Sequence, residues 1–280
     1  MIPTAFDYRR ASSIEDALNL LASTSGKILA GGHSLVPLMK IRLSEPSVLI
    51  DIARIPGLSG IRETGGAIEI GACTTHHAVA TAPLVNDRCP MLAEAAGSIG
   101  DPQVRNRGTL GGSLAHGDPS ADYPAAMLAL DATIQLQGPN GARAVPAKDF
   151  FQGVFTVDLA PDELIVGVRF TPVRTAAYAR LRQRASHFAI VGVAAALDVA
   201  GTAIRSARIG ITGAGPSATR LTTVESALTG KPATAATVAE AAALATLDDV
   251  NSDLHGSEEY RRAMIPVFTR RALEGALARV

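Results

Sequence analysis

Two short segments of the chain share one pattern of residue types. Ala30-Gly31-Gly32-His33-Ser34 and, 79 positions later, Thr109-Leu110-Gly111-Gly112-Ser113 each hold two adjacent glycines with a serine within two positions. Without a Cβ, a glycine lets other groups approach the backbone closely. Such a loop can turn successive N–H groups inward as a nest for an anion, with the serine hydroxyl as one more donor. Phosphate suits this chemistry. A double glycine is also an ordinary turn, so neither loop decides alone. Two of them from different parts of one chain would clamp a diphosphate from both sides without any lysine. Past the second loop, Asp118 and Asp122 stand where a helix starts. A carboxylate there either complements the helix N-terminus or accepts hydrogen bonds from a ribityl or ribose chain whose phosphates lie on the loops. The residue types leave both readings open.

Other candidates lead less far. Gly213-Ala214-Gly215-Pro216-Ser217-Ala218 matches the loose dinucleotide fingerprint, but that motif needs an immediate helix, a further parallel strand and an acid about twenty positions on. Here Glu225 follows Gly215 by ten positions and alanine-rich helix comes next, so the segment reads as a strand-to-helix turn. Gly32-His33-Ser34-Leu35-Val36 starts like a nucleophile elbow but has valine where the sharp turn needs glycine. Cys73, His76 and His77 resemble metal ligands in type only: adjacent histidines point differently on a helix and no second cluster sits at ligand spacing. A capping and surface role is the expectation for the histidines. Arg174, Arg180, Arg182 and Arg184 follow an alternating strip that reads as a solvated strand face, or one meeting a phosphate or a partner subunit.

The elements that must position these loops alternate between helix and strand. Ser12 or Ser13 before Glu15, Asp16 and the stripe Ile14, Ala17, Leu18, Leu21 predicts a capped helix. KILAGG and SVLIDI read as strands, as do AIEIGA, TIQLQG with an Asn140-Gly141 hairpin turn, ELIVGVRF and ARIGIT. Helices are expected from Thr75 through HHAVATAPLV, over Pro90 to Ile99, from Tyr123 to Leu130, over LTTVESALTG and across residues 233–247. Gly108 to Gly117 reads as too glycine-rich and polar for a regular element. The unequal runs favour an α+β fold, with breaks near residue 57 and near Pro172.

The 280 residues carry 26 Lys+Arg against 26 Asp+Glu, with a pI near 7.0. That balance removes the electrostatic footprint of a general nucleic-acid binder. Two cysteines make a disulfide framework unexpected and are too few for a self-contained iron–sulfur cluster. The stretch MIPTAFDYRRASSIEDA has an arginine pair but no apolar region behind it, and the longest apolar run, Phe188 to Leu197, is about half the ~20 residues of a membrane span. The expectation is a cytoplasmic protein with no membrane span.

The segment QVRNRGTLGGSLAHGDPSADYPAAMLAL, from Gln103 to Leu130, resembles the FAD-binding medium subunit of the molybdenum hydroxylases, the family of the carbon monoxide dehydrogenase and xanthine dehydrogenase flavoproteins. The likeness extends, in the family's order, to AGGHSLVPLMKIRL, DIARIPGLSGI, IGACTTHH, DELIVGVRF and GAGPSA. It implies a two-lobed FAD-binding domain of the vanillyl-alcohol-oxidase-like (PCMH) type, with lobes at residues 1–57 and 58–173, followed by a C-terminal α+β domain at 174–280. FAD would be held without a covalent bond, its pyrophosphate on Ala30 to Ser34 and Thr109 to Ser113 and its polyol at Asp122. Ile165 stands where the family packs an aliphatic residue near the flavin, and Phe188 where carbon monoxide dehydrogenase relatives place a tyrosine. The resemblance implies a hetero-oligomer, a heterohexamer, with a large molybdopterin-binding subunit and a small iron–sulfur subunit. Electrons would pass from the small subunit through FAD to an external acceptor. No catalytic acid or base and no metal site is expected on this chain. The alternatives are a stand-alone FAD-dependent oxidoreductase and a flavin-free scaffold subunit.

Overall fold

The computed structural model describes residues 2–280. Its first lobe holds β1 (Asp7–Arg10), α1 (Ile14–Thr24), β2 (Lys27–Leu29), α2 (Leu35–Lys40) and β3 (Val48–Asp51). The strands form a parallel sheet in the order β1-β3-β2. α1 begins with a reciprocal cap. The Ser13 hydroxyl accepts the Asp16 N–H at 3.0 Å, while the Asp16 carboxylate accepts the Ser12 N–H at 2.8 Å and its hydroxyl at 2.9 Å. Ala17 and Leu21, one turn apart, are buried in a core with Ile50, Ile52 and Ile55. β2 runs directly into the first glycine loop, so its pairing with β3 fixes where that loop leaves the sheet.

The middle lobe contains β4 (Ile61–Thr64), β5 (Ala67–Gly71), α3 (His76–Thr81), α4 (Pro83–Arg88), α5 (Pro90–Ser98), α6 (Pro102–Arg105), α7 (Leu110–His116) and α8 (Asp122–Ala129). It continues with β6 (Thr133–Gly138), β7 (Gly141–Pro146), α9 (Ala147–Phe150), β8 (Phe151–Gly153), β9 (Thr156–Val157) and β10 (Leu164–Phe170). Its main sheet runs β4-β5-β10-β6-β7. The helix expected through HHAVATAPLV is two, because Ala82 is extended and Pro83 opens the second. The stretch expected to be irregular, Gly108 to Gly117, is mostly α7. The Thr109 side chain caps it, Gly117 closes it at φ +62°, and Leu110 and Leu114, at i and i+4, are fully buried. A two-leucine stripe and a cap outweigh the cost of two glycines.

The C-terminal part comprises β11 (Ala176–Arg182), β12 (Ala189–Ala200), β13 (Ala203–Thr212), β14 (Thr219–Arg220), α10 (Thr222–Leu228), α11 (Ala235–Ala242) and α12 (Glu258–Leu277), with an antiparallel sheet in the order β11-β12-β13-β14. β12 is buried on both faces. Val191, Val193, Ala195 and Leu197 face the core shared with α12, whereas Ala194 and Ala196 join the core of the middle lobe. Period-2 alternation separates the two sets. The middle-lobe face is small because α8 lies close: a Cβ at Gly210 would overlap the Ala125 carbonyl. The fold is α+β, and no helix among the described residues is long and apolar enough to cross a membrane.

Candidate functional site

The two glycine loops meet. A Cβ at Gly31 would overlap the Arg107 carbonyl and lie 2.7 Å from Gly108 Cα, so the first loop rests on the backbone that leads into the second. A Cβ at Gly112 would lie 3.9 Å from Ala30 Cβ. Gly32 has φ +75°, a conformation glycine adopts without strain.

Their hydrogen bonding differs. Among the described residues, none of the N–H groups of Gly31, Gly32, His33 and Ser34 has a protein acceptor. These four consecutive donors lie between the end of β2 and the start of α2. In the second loop the Leu110 N–H donates to Thr74 O at 3.0 Å, Gly111 to Ala72 O at 2.8 Å, Gly112 to Thr109 Oγ1 at 3.1 Å and Ser113 to Thr109 O at 3.0 Å. The His76 N–H returns a bond to Gly108 O at 3.0 Å, and Thr75 bridges Thr109. The second loop is thereby zipped to residues 72–76, and among the described residues Thr109 alone of its five residues keeps an N–H without a protein acceptor. The sequence pattern, which treats the loops as equivalent nests, needs this correction. The half-buried Ser34 and Ser113 hydroxyls make no hydrogen bond within the described residues.

Asp122 is 4% exposed, in the first turn of α8. Its Oδ1 accepts from the Tyr178 hydroxyl at 2.6 Å and from Arg180 at 2.9 Å, and its Oδ2 accepts from Arg180 at 3.0 Å. Burial pushes its carboxyl upward, while Arg180 and Tyr178 pull the other way. The C-terminal sheet also grips the preceding segment: the Thr212 hydroxyl lies 2.8 Å from both Pro119 O and Ala121 O, the Gly213 N–H donates to Pro119 O at 2.8 Å, and the Ala189 N–H to Ser120 O at 3.4 Å. Phe188, next to Ala189, is therefore brought beside this segment and is 51% exposed. Its neighbour His187, at φ +63°, makes a 2.9 Å bond between Nδ1 and Gly100 O. Ile165 is only 5% exposed, packed in the middle core at a bulge of β10. The next residue, Val166, accepts the N–H of Ala72, the residue that also holds Gly111.

Several residues missed by sequence reasoning belong here. Arg180, read there as part of a solvated strip, is buried against Asp122, whereas Arg182 and Arg184 are exposed and Arg184 lies past the end of β11. Glu94 on α5 accepts the Tyr178 N–H at 2.8 Å and pairs with Arg279. No local signal marks these contacts. His77 is exposed as expected, but His76 is buried against Tyr123 rather than at the surface. The α3 cap is supplied by Thr75. Burial holds the thiols of Cys73 and Cys89 up at about 12, which leaves them unreactive.

Two family models match this chain. One, the FAD binding domain in molybdopterin dehydrogenase, spans residues 4–174, and the other, the CO dehydrogenase flavoprotein C-terminal domain, spans 176–276. The pair defines a flavoprotein with a separate C-terminal domain. The chain is 42% identical over 285 residues to the carbon monoxide dehydrogenase medium chain of Hydrogenophaga pseudoflava, covering 100% of this chain and 99% of that protein. It is 42% identical over 288 residues to the 6-hydroxypseudooxynicotine dehydrogenase complex subunit alpha of Paenarthrobacter nicotinovorans, covering 100% and 97%. The solved structure of the Hydrogenophaga pseudoflava carbon monoxide dehydrogenase that lacks the Mo-pyranopterin moiety of its molybdenum cofactor superimposes with a TM-score of 0.95 at 42% identity, over 100% of this chain and 99% of that one. The chain belongs to the FAD-binding medium subunits of the molybdenum hydroxylases, and is an oxidoreductase subunit with FAD as its cofactor.

Proposed function

We propose that this chain carries electrons from an iron–sulfur cluster of a small partner subunit to an external acceptor, the electrons having entered at a large molybdopterin-binding subunit. FAD supplies the electron-transfer chemistry when bound. The protein binds and orients it. The observation that carries this reading is the run of four N–H groups from Gly31 to Ser34 that have no protein acceptor among the described residues, in a loop whose Gly31 rests on the backbone of Arg107 and Gly108. Hydrogen bonds from such donors to a charged oxygen contribute about 1.5–3 kcal/mol each, which suits a diphosphate and needs no lysine. Ser34 and Ser113 add hydroxyl donors, and Thr109 adds its N–H. The exposed Arg107 stands at the same junction and supplies positive charge. On this reading Asp122 serves the polyol, Phe188 lies at the ring, and Ile165 packs behind it. The same reading places the complex in the cytoplasm.

The test is the colour of the full-length chain. Expressed with ample flavin it should be yellow and release FAD on denaturation, with large and small subunits co-purifying when the three are expressed together. A wild-type chain that stays colourless would overturn the proposal.

A further inference from the structure

His76 opens α3 beside the junction of the loops, its N–H bonded to Gly108 O and its ring against Tyr123, and that ring has been given no role toward a ligand. The residue is buried, with 5% of its surface exposed. Nδ1 lies 3.1 Å from the Tyr123 hydroxyl, and the two ring centroids are 5.3 Å apart. Tyr123 is fully buried; burial first, then the charge of Asp122, holds its phenol well above the ordinary range, so the hydroxyl keeps its proton. Among the described residues that hydroxyl has no partner besides His76 Nδ1. Donation from Tyr123 to Nδ1 satisfies both groups, whereas the reverse leaves a buried O–H without an acceptor, which folded proteins avoid. The imidazole proton therefore sits on Nε2.

Nε2 has no protein partner, yet among the described residues no fully buried side-chain nitrogen or oxygen lacks one. Nε2 is thus not completely buried and keeps some access to solvent. It emerges beside Gly108, where a Cβ would come within 2.6 Å of it, and Gly108 is the residue on which Gly31 rests. Burial, with His33 and Arg105 nearby, holds the imidazole down to about 4, so the ring is an uncharged donor at neutral pH.

We propose that His76 is a further anion-binding residue of this site, its Nε2–H donating to a diphosphate oxygen where the two loops meet, with Tyr123 as the residue that positions it. This rests on the reading that a diphosphate lies at that junction.

The test uses the full-length chain labelled with 15N-histidine, with FAD and riboflavin as probes. Long-range 15N–1H correlation should show the His76 proton on Nε2, and that proton should move downfield when FAD binds but not when riboflavin, which lacks the diphosphate, is added. A proton on Nδ1, or an Nε2–H unmoved in the FAD-bound chain, would overturn the proposal while leaving the flavin reading intact. Two variants add a readout that packing alone would not give. His76→Asn keeps an amide near Nδ1 but none near Nε2, and should weaken FAD binding about tenfold; His76→Gln, with an amide near Nε2, should stay within about threefold of wild type. Equal losses in both, or none in either, would make His76 a packing residue and sink the idea. A wild-type chain that binds no FAD would remove the reading on which it rests, and the proposal with it.

Discussion

The first and second glycine loops look alike as strings of residues and behave differently as structures. Gly31 to Ser34 leave the parallel sheet with their N–H groups unengaged, whereas Leu110 to Ser113 direct theirs into residues 72–74 and the cap of α7. Glycine serves opposite ends in the two. At Gly31 the absent side chain lets the loop lie on the Arg107 backbone with its donors open; at Gly111 it lets the chain bond Ala72 so closely that a Cβ would overlap it. A pair of glycines signals close approach but does not say whether the approaching group is a ligand or the protein's own backbone.

The comparison can be broken by substitution. The largest effect is expected at the segment that follows the second loop, where a buried charge would lose its partner. Arg180→Met leaves the Asp122 carboxylate unpaired in the interior and should lower stability by about 3–5 kcal/mol, read by denaturant titration. Loss within experimental error would show that the pair does not tie the C-terminal sheet to α8. Next come the glycines themselves. Gly31→Ala sets a Cβ against backbone that cannot rotate away, and should reduce FAD affinity on the order of a hundredfold while the apo chain still folds. Gly111→Ala should instead cost about 1–3 kcal/mol of stability. If the two variants fail in the same way, the loops are not divided as described.

The strip that holds the second loop also makes stability depend on pH. His76 titrates near 4 in the folded chain against an ordinary 6.5. The unfolded chain therefore takes up the proton first. The contribution of the uncharged ring is complete above pH 6.5 and is lost as pH falls from there toward 4, at no more than about 1.4 kcal/mol per pH unit. Melting temperatures from neutral pH downward should fall more steeply for wild type than for His76→Phe; parallel curves would contradict this. The smallest effect is expected at the cap: Thr109→Ala should cost about 1 kcal/mol in stability and little in FAD affinity, measured by fluorescence titration.

Much of the framework was legible. The cap of α1, the Asn140-Gly141 hairpin and α8 follow from local chemistry, and the two loops were singled out by composition alone. α7 was not, because its glycines mask a stripe of only two leucines. α12 was missed for a related reason: its buried positions from Arg261 to Ala276 keep helical spacing, but Arg261 and Thr269 interrupt the apolar run. Arg261 is buried because it donates to Ile190 O at 2.7 Å and Gly213 O at 2.9 Å, contacts that no local pattern encodes. The same holds for Asp122 and Arg180, joined by the docking of one domain on another. The family resemblance supplied the cofactor. It could not show which amides are open.

Amide hydrogen exchange on the full-length chain, with and without FAD, tests that division directly. Without FAD the N–H groups of Gly31 to Ser34 should exchange rapidly and those of Leu110 to Ser113 slowly; adding FAD should slow the first set and leave the second unchanged. Protection of residues 31–34 in the absence of FAD, or exchange there that FAD does not alter, would contradict the account.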